Sequence, residues 1–250
     1  LIIDMIIIEF FGPPCSGKTS GENYLLKKNK NFISSNILIP KYSKNFIKLT
    51  TLDKASLKYM QLVKFLKKIN TSSKAQPMIS RKNNLTSSLP KGNKYSNFII
   101  KNYRKICKDL YKLYSKKNYE LNKFYLNNLN KIRDKKLKSN YQNWFEETSA
   151  KYYIAKNLKD KKKVVIFDEG LLQRSYFICY QKNNFRNKLN YYLQHVDKPD
   201  YAIYLDMDTK SLLKRSNFRK GQEKNMFVYK NLKDIKRYKV FFKYVLKKLN

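Results

Sequence analysis

The sequence predicts an α/β fold of three layers, in which helices cover both faces of a parallel sheet. Three short apolar runs, residues 5–11, Val164–Phe167 and 201–205, are rich in β-branched and aromatic residues. Such runs are typical of parallel strands that are buried on both faces. Each run ends in a polar turn and is followed by a helical pattern, and this alternation indicates βαβ units.

The first strand leads into residues 12–19, which match the pattern GxxxxGK[ST] in full and precede a predicted helix, Lys18–Lys28. In this context the backbone N–H groups of the loop and the positive end of the helix bind nucleotide phosphates. Pro13 and Pro14 lack N–H groups, so we expect the donors to begin at Cys15. The predicted nucleotide-binding residues are Gly12, Cys15, Ser16, Gly17, Lys18, Thr19 and Ser20.

Two of these residues have a more specific expected role. Lys18 is expected to reach the β- and γ-phosphate oxygens, which makes it a candidate catalytic residue, and the Thr19 hydroxyl to ligate Mg²⁺. Cys15 occupies a position at which many such loops carry glycine, because a positive φ is comfortable there. We interpret this cysteine as tolerated strain rather than as a redox-sensitive thiol.

Asp168 and Glu169 directly follow the Val164–Phe167 strand. Ligands of open parallel sheets bind at the carboxyl ends of the strands, so Asp168 is expected beside the loop of the first strand. One carboxylate would hold Mg²⁺, for which we choose Asp168, and either acid could act on an acceptor hydroxyl as a catalytic group. Arg174, one helical turn further on, is a candidate to contact a substrate anion.

Arg215 and Arg219 lie four residues apart in a predicted helix after the 201–205 strand. This spacing places both on one helix face. Phosphoryl transfer needs cations that close over the γ-phosphate as charge spreads over its oxygens. Both arginines are therefore predicted to be catalytic cations.

Residues 51–160 differ in character, because apolar and aromatic residues recur there at helical spacing on a Lys-rich background. We interpret this block as a helical insertion within a single domain of 250 residues. Inside the block, a helix is predicted over 57–69, and the Ser/Asn/Pro-rich stretch 70–97 is predicted as a loop. A short strand is predicted over 36–40. Further helices are predicted over 171–181, after Asp208, and over 231–249.

The formal net charge is +37, which is compatible with a polyanionic partner such as nucleic acid. However, only 8 of the 55 basic residues are arginine, the usual choice for phosphate binding, and lysine is a residue that A/T-rich codons favour, so we interpret the charge mainly as an effect of codon composition. Three widely separated cysteines and a single histidine argue against a disulfide framework and a structural zinc site. No apolar run is long enough to predict a membrane span, and the expected compartment is the cytoplasm.

Three segments together resemble the P-loop kinases of nucleosides and nucleotides, the group of thymidylate kinase and the deoxynucleoside kinases. They are IIIEFFGPPCSGKTS, VVIFDEG and KPDYAIYLDMDTKSLLKRSNFRK, and the resemblance covers residues 1–30 and 163–220. It implies ATP and Mg²⁺ as cofactors, a hydroxyl or phosphate acceptor, and a P-loop NTPase sheet of order 2-3-1-4-5. The group often has an arginine directly after the acidic residue, whereas this chain has Glu169-Gly170. The chain also reaches Asn250 without a fifth strand, so the expected sheet lacks it or the chain is a fragment.

The leading hypothesis is an ATP-dependent kinase for a small molecule, with a nucleoside or nucleotide as the first choice of acceptor. A sugar or glycan hydroxyl in envelope biosynthesis is an alternative acceptor, because Glu169-Gly170 lacks the nucleotide-kinase signature. A nucleic-acid-directed protein such as a polynucleotide 5′-kinase is a second alternative, with the basic helical block as its binding surface. A nucleotide-binding switch without acceptor chemistry is a third.

Overall fold

The structure is a computed structural model and describes residues 5–59, 94–158, 163–180, 185–220 and 232–249. Over these residues the chain has an α/β fold that is mostly helical and contains one open parallel sheet. Its strands are β1 (Ile6–Phe11), β2 (Phe32–Ser34), β3 (Val164–Phe167) and β4 (Tyr201–Tyr204). They are arranged in the order β2-β3-β1-β4, and all three pairs are parallel. The predicted α/β class and parallel sheet are therefore confirmed, and the order matches the first four positions that the resemblance implies.

Ten α-helices surround this sheet in the described part of the chain. They are α1 (Lys18–Lys28), α2 (Leu38–Tyr42), α3 (51–59), α4 (Lys94–Lys117), α5 (Tyr119–Leu129), α6 (Lys135–Asn157), α7 (Leu171–Cys179), α8 (Phe185–His195), α9 (Thr209–Lys220) and α10 (Leu232–Leu249). Short 3₁₀ turns, Ser35–Ile37 and Ser43–Asn45, flank α2. None of the described helices is long and apolar enough to cross a membrane.

Strand β1 lies between β3 and β4 and is buried on both faces, which explains its apolar sequence. Its register places Glu9 beside Phe167 of β3 and Ala202 of β4. The carboxyl ends of β1 and β3 therefore meet at one edge of the sheet, where the loop after β1 and the acids after β3 are brought together.

The helical block lies in the connection from β2 to β3 and shares one hydrophobic core with the sheet. On α4, Ile106, Leu110 and Tyr114 are buried at four-residue spacing, as the predicted helical pattern requires. On α6, the Tyr152 ring lies 4.5 Å from that of Phe167 on β3. Since its helices pack directly on the sheet, the block contributes to the core on which the site is built.

The predicted strand over 36–40 is wrong, because the strand lies earlier, at Phe32–Ser34, and residues 38–40 begin α2. The Ser34 hydroxyl accepts the Asn36 N–H at 3.2 Å and caps the turn that ends the strand. Short apolar runs are compatible with either strand or helix, so periodicity alone did not distinguish the two.

Most of the other predicted elements agree with the structure to within two residues, including α1, β3, α7, β4 and α10. The Ser211 N–H donates to the Asp208 carboxylate at 2.8 Å, which identifies Asp208 as the cap of α9. Of the predicted loop 70–97, residues 94–97 are helical instead, and the remainder lies outside the described residues. Of the helix predicted over 57–69, residues 57–59 belong to α3 and the rest is outside the described ranges.

Candidate functional site

The loop between β1 and α1 follows an unusual backbone path. Gly12 has φ +141° and Gly17 has φ +98°, values that residues with a Cβ rarely adopt. A Cβ on Gly12 would lie 2.7 Å from the carbonyl oxygen of Leu205, which is part of the backbone and cannot rotate away. The glycine at the start of the motif is therefore required both by its φ angle and by close packing on the segment after β4.

Cys15 is the one non-glycine residue with positive φ, +67°, in the described part of the chain. This confirms the backbone conformation expected where many such loops carry glycine. Its side chain is buried and packs with Leu212 of α9 and Ile235 of α10. This packing helps to hold a conformation that costs about 1–2 kcal/mol for a residue with a Cβ.

The side chain of Lys18 turns back across the loop and is only 6% exposed. Its Nζ donates hydrogen bonds to the carbonyl oxygens of Gly12 at 3.1 Å and Pro13 at 3.0 Å. In the same loop the Ser16 hydroxyl is buried and has no hydrogen-bond partner among the described residues. Ser20, in the first turn of α1, is exposed. The loop thus gathers an ammonium group and a hydroxyl donor around the start of α1, where N–H groups favour anions.

Thr19 and Asp168 are 149 residues apart in sequence but in direct contact. The Thr19 hydroxyl donates to the Asp168 carboxylate at 2.9 Å. This contact arises because β1 and β3 are adjacent parallel strands whose carboxyl ends lie at the same edge. The described residues contain no cluster of three or more His, Cys, Asp or Glu side chains suited to a metal ion. Mg²⁺ in phosphoryl-transfer sites is usually held by one or two carboxylates together with phosphate oxygens, and this hydroxyl–carboxylate pair suits that coordination.

Glu169 and Arg174 form an ion pair next to Asp168, with Nη1 and Oε2 3.2 Å apart. Arg174 also donates from Nε to the Thr148 hydroxyl at 3.2 Å, and its guanidinium lies 5.6 Å from the centre of the Trp144 ring. Thr148 and Trp144 both belong to α6. The helical block therefore contacts a residue of the predicted site. These contacts of Arg174 were not predicted, because no local sequence pattern shows that α6 packs beside α7.

A cavity of about 240 Å³ lies between α5, α6 and α7. Its lining residues on α7, 176–178, follow Arg174 by about one helical turn. Its walls are mostly aromatic and aliphatic. Two of its lining residues, Tyr141 and Phe177, also contact Trp144, with ring centres 5.8 Å from the indole in each case. The cavity and the Arg174–Glu169 pair are thus joined by a continuous set of aromatic side chains.

Arg215 of α9 approaches the loop from the other side. Its Nη1 lies 3.4 Å from the carbonyl oxygen of Cys15, and a Cβ on Gly17 would lie 3.6 Å from the same nitrogen. The side chain is otherwise exposed. Arg219 is on the same helix, but its side chain lies outside the described residues.

Glu9 is a further polar residue at the site, and no local pattern in the sequence assigns it a role. It is fully buried beneath the loop. Its carboxylate accepts a hydrogen bond from the Tyr152 hydroxyl at 2.6 Å and another from the Gln173 backbone N–H at 2.9 Å. Burial raises the pKa of Glu9 from the ordinary 4.5 to about 7, although these hydrogen bonds oppose the shift. In the sequence, the one indication of a role for Glu9 is that it is a single acid within an otherwise apolar strand.

Comparisons of the chain with protein-family models, with curated proteins and with solved structures find no match. The functional interpretation therefore depends on the residues and the geometry of the site.

Proposed function

We propose that the chain is an ATP- and Mg²⁺-dependent phosphotransferase that acts on a small molecule, with a nucleoside or nucleotide as acceptor. The observation that carries this proposal is the contact of Thr19 with Asp168 at 2.9 Å, directly beside the loop that holds Lys18. A hydroxyl and a carboxylate for Mg²⁺, next to an ammonium group for phosphate oxygens, are the elements that phosphoryl transfer from ATP requires.

The loop fits a bound phosphate chain. The Ser16 hydroxyl, buried without a partner among the described residues, is a donor that a phosphate oxygen would satisfy. Lys18 Nζ, which bonds to two loop carbonyls, is placed to exchange these neutral acceptors for a stronger charged one. Thr19 and Asp168 would hold Mg²⁺, which neutralises charge on the phosphate oxygens when bound.

The two adjacent acids have different surroundings, and this suggests different roles. Asp168 accepts a hydrogen bond from the Thr19 hydroxyl and is therefore assigned the role of a Mg²⁺ ligand. The Glu169 side chain is 46% exposed and faces Arg174, so it is the better placed of the two to accept the proton of an acceptor hydroxyl. Arg174 orients Glu169, and Arg215 lies on the opposite side of the loop, where a cation stabilises the charge that develops during transfer.

The aromatic cavity supports an acceptor that contains a ring. Binding pockets for small molecules are mostly apolar, with a few polar groups that fix orientation. Here the aromatic walls are continuous with Trp144, on which Arg174 lies, and Arg174 pairs with Glu169. A planar ring in the cavity would place an attached hydroxyl or phosphate toward this ion pair.

Turnover of ATP with a panel of acceptors tests the proposal. The panel contains nucleosides, nucleoside monophosphates, monosaccharides and a 5′-hydroxyl oligonucleotide, the last because the net charge of +37 is compatible with a polyanion. ADP release should rise with a nucleoside or nucleotide, and should be abolished by Lys18→Ala and strongly reduced by Asp168→Asn. Lys27→Ala, which removes an exposed lysine from the last turn of α1, is the matched control and should leave turnover unchanged.

Other outcomes would replace the proposal with a defined alternative. Stimulation by the oligonucleotide alone, with binding that weakens steeply as salt rises, would indicate a nucleic-acid kinase. Bound ATP with no acceptor-stimulated turnover would indicate a nucleotide-binding switch. Unchanged activity in Lys18→Ala would overturn the assignment of the loop.

A further inference from the structure

Glu9 is a costly residue for its location. It lies in the central strand of the sheet, is 0% exposed, and is surrounded by apolar side chains such as Phe167 in the neighbouring strand. An apolar residue of similar volume would fill this space without the cost of removing a carboxyl group from water. Burial alone therefore does not favour an acid here, and its role lies in the hydrogen-bond donors that it accepts.

A continuous chain of hydrogen bonds leads from Glu9 to the phosphate-binding loop. Gln173 donates its backbone N–H to Glu9 Oε1 at 2.9 Å, and its side-chain oxygen accepts the N–H of Gly12 at 3.0 Å. The carbonyl oxygen of Gly12 in turn accepts Lys18 Nζ at 3.1 Å. Glu9 is therefore connected through one glutamine and one glycine to the lysine that the proposed function places on the phosphates.

A second bond leads from Glu9 into the helical block. The Tyr152 hydroxyl of α6 donates to Glu9 Oε2 at 2.6 Å. Helix α6 also carries Thr148 and Trp144, which contact Arg174 on the acceptor side of the site. One carboxyl group thus connects the helix that supports the acceptor side with the loop that would hold ATP.

We propose that Glu9 is a positioning residue that sets the geometry of Gly12 and Lys18 through Gln173 and couples the loop to α6 through Tyr152. The inference rests on the proposed function, because the effect of Glu9 is exerted on the binding of Mg-ATP. Glu9 itself touches neither phosphate nor acceptor.

The ionised form of Glu9 suits the observed bonds. Tyr152 donates to one oxygen of the carboxylate and the Gln173 N–H to the other, so both oxygens act as acceptors, which the ionised form provides. Because the pKa of Glu9 is raised to about 7, the network changes its protonation near neutral pH. The neighbouring charged group that lowers the pKa of Glu9 is Arg174 of α7. Burial raises the pKa of two neighbouring tyrosines, Tyr152 of α6 and Tyr192 of α8, well above the ordinary 10, so both are neutral at pH 7. Glu9 is thus the one of these three acids whose pKa lies near neutral pH.

The test measures Mg-ATP affinity in the full chain by quenching of Trp144, the single tryptophan, with calorimetry as a second readout. Glu9→Gln keeps the shape of the side chain, and Tyr152→Phe removes one donor. Each should weaken Mg-ATP binding by about tenfold, the effect of losing about one buried hydrogen bond. Tyr192→Phe is the matched control, because it removes another buried hydroxyl, which donates to the Leu171 carbonyl and not to Glu9. It should lower the melting temperature by a similar amount while changing the affinity less than twofold.

The pH profile separates positioning from a structural role. Wild-type affinity for Mg-ATP should fall as pH decreases through about 7, whereas the Glu9→Gln profile should be flat over that range. Wild-type affinity and a wild-type profile in both Glu9→Gln and Tyr152→Phe would overturn the inference, even if both variants are less stable. If Glu9→Gln does not fold, Tyr152→Phe decides alone, since it retains the buried ring. Failure of the wild type to bind Mg-ATP would instead refute the proposed function, and the inference with it.

Discussion

Replacing Gly170 by alanine should destabilise the chain, because the added methyl group would collide with the Glu9 side chain. Gly170 has φ −98° and ψ −155°, an extended conformation that any residue adopts, so backbone strain does not require glycine here. However, a Cβ on Gly170 would lie 2.3 Å from Glu9 Oε2, 2.4 Å from Cδ and 2.9 Å from Cγ. All three atoms belong to a side chain that is fully buried, and moving it away would disturb its hydrogen bonds to Tyr152 and Gln173.

The size of the effect follows from these contacts. Adding a methyl group to a filled interior costs about 1–3 kcal/mol, and displacing Glu9 also weakens a hydrogen bond worth about 1 kcal/mol. The expected loss is therefore about 3 kcal/mol. At about 3 °C per kcal/mol for a domain of this size, the melting temperature should fall by about 9 °C. In urea, with a slope of about 3 kcal/mol per molar, the midpoint should fall by about 1 M.

A double-mutant cycle isolates the contact. Glu9→Ala removes all three clashing atoms, so Gly170→Ala made in that background should cost less than about 0.5 kcal/mol and can even stabilise, because alanine restricts the unfolded chain. Urea unfolding followed by Trp144 fluorescence and by far-UV circular dichroism measures the four proteins. Equal costs of Gly170→Ala in the two backgrounds would refute the placement of Glu9 against Gly170.

Three further predictions concern the same site. Since burial raises the pKa of Glu9 from 4.5 to about 7, the folded state binds this proton more tightly than the unfolded state. The resulting stabilisation, about 3 kcal/mol, is fully present below pH 4.5 and is lost as pH rises through 7. This pH dependence should be absent from the unfolding curves of Glu9→Gln. Cys15→Val should destabilise by about 2 kcal/mol more than Cys15→Gly in chemical denaturation, because φ is +67° there and a β-branched side chain tolerates this least; equal stability would contradict this backbone conformation of Cys15. Arg215→Ala should lower kcat by about 100-fold while changing Mg-ATP affinity only about threefold, since its cation is expected to act on transition-state charge; a loss confined to affinity would place it in ground-state binding.

The sequence was sufficient to predict the parts of the site that local patterns encode. A β-branched run followed by GxxxxGK[ST] predicted β1, the loop and α1, and two acids after a second run predicted the position of Asp168. Their meeting followed from one general rule, that parallel strands present their carboxyl ends at the same edge. The observed contact of Thr19 with Asp168 agrees with this rule.

The remaining features depend on long-range packing that no local pattern encodes. Trp144 and Thr148 were predicted only as members of the helical block. Their contacts with Arg174 could not be predicted, because they require α6 and α7 to lie side by side. Likewise, a single acid in strand β1 gives no indication that Tyr152 will donate to it across 143 residues. The strand predicted over 36–40 was wrong for a related reason, since the same apolar residues are equally buried in a helix.

Gly170 and Glu9 are coupled by packing. The side of Gly170 on which a Cβ would lie is occupied by the Glu9 carboxyl group. Arg174, one helical turn later, pairs with Glu169 at 3.2 Å. The acid in the strand and the glycine in the turn therefore form one unit. Each position constrains the other, because a side chain at 170 leaves no room for Glu9, and an apolar residue at 9 leaves Tyr152 and the Gln173 N–H without their acceptor.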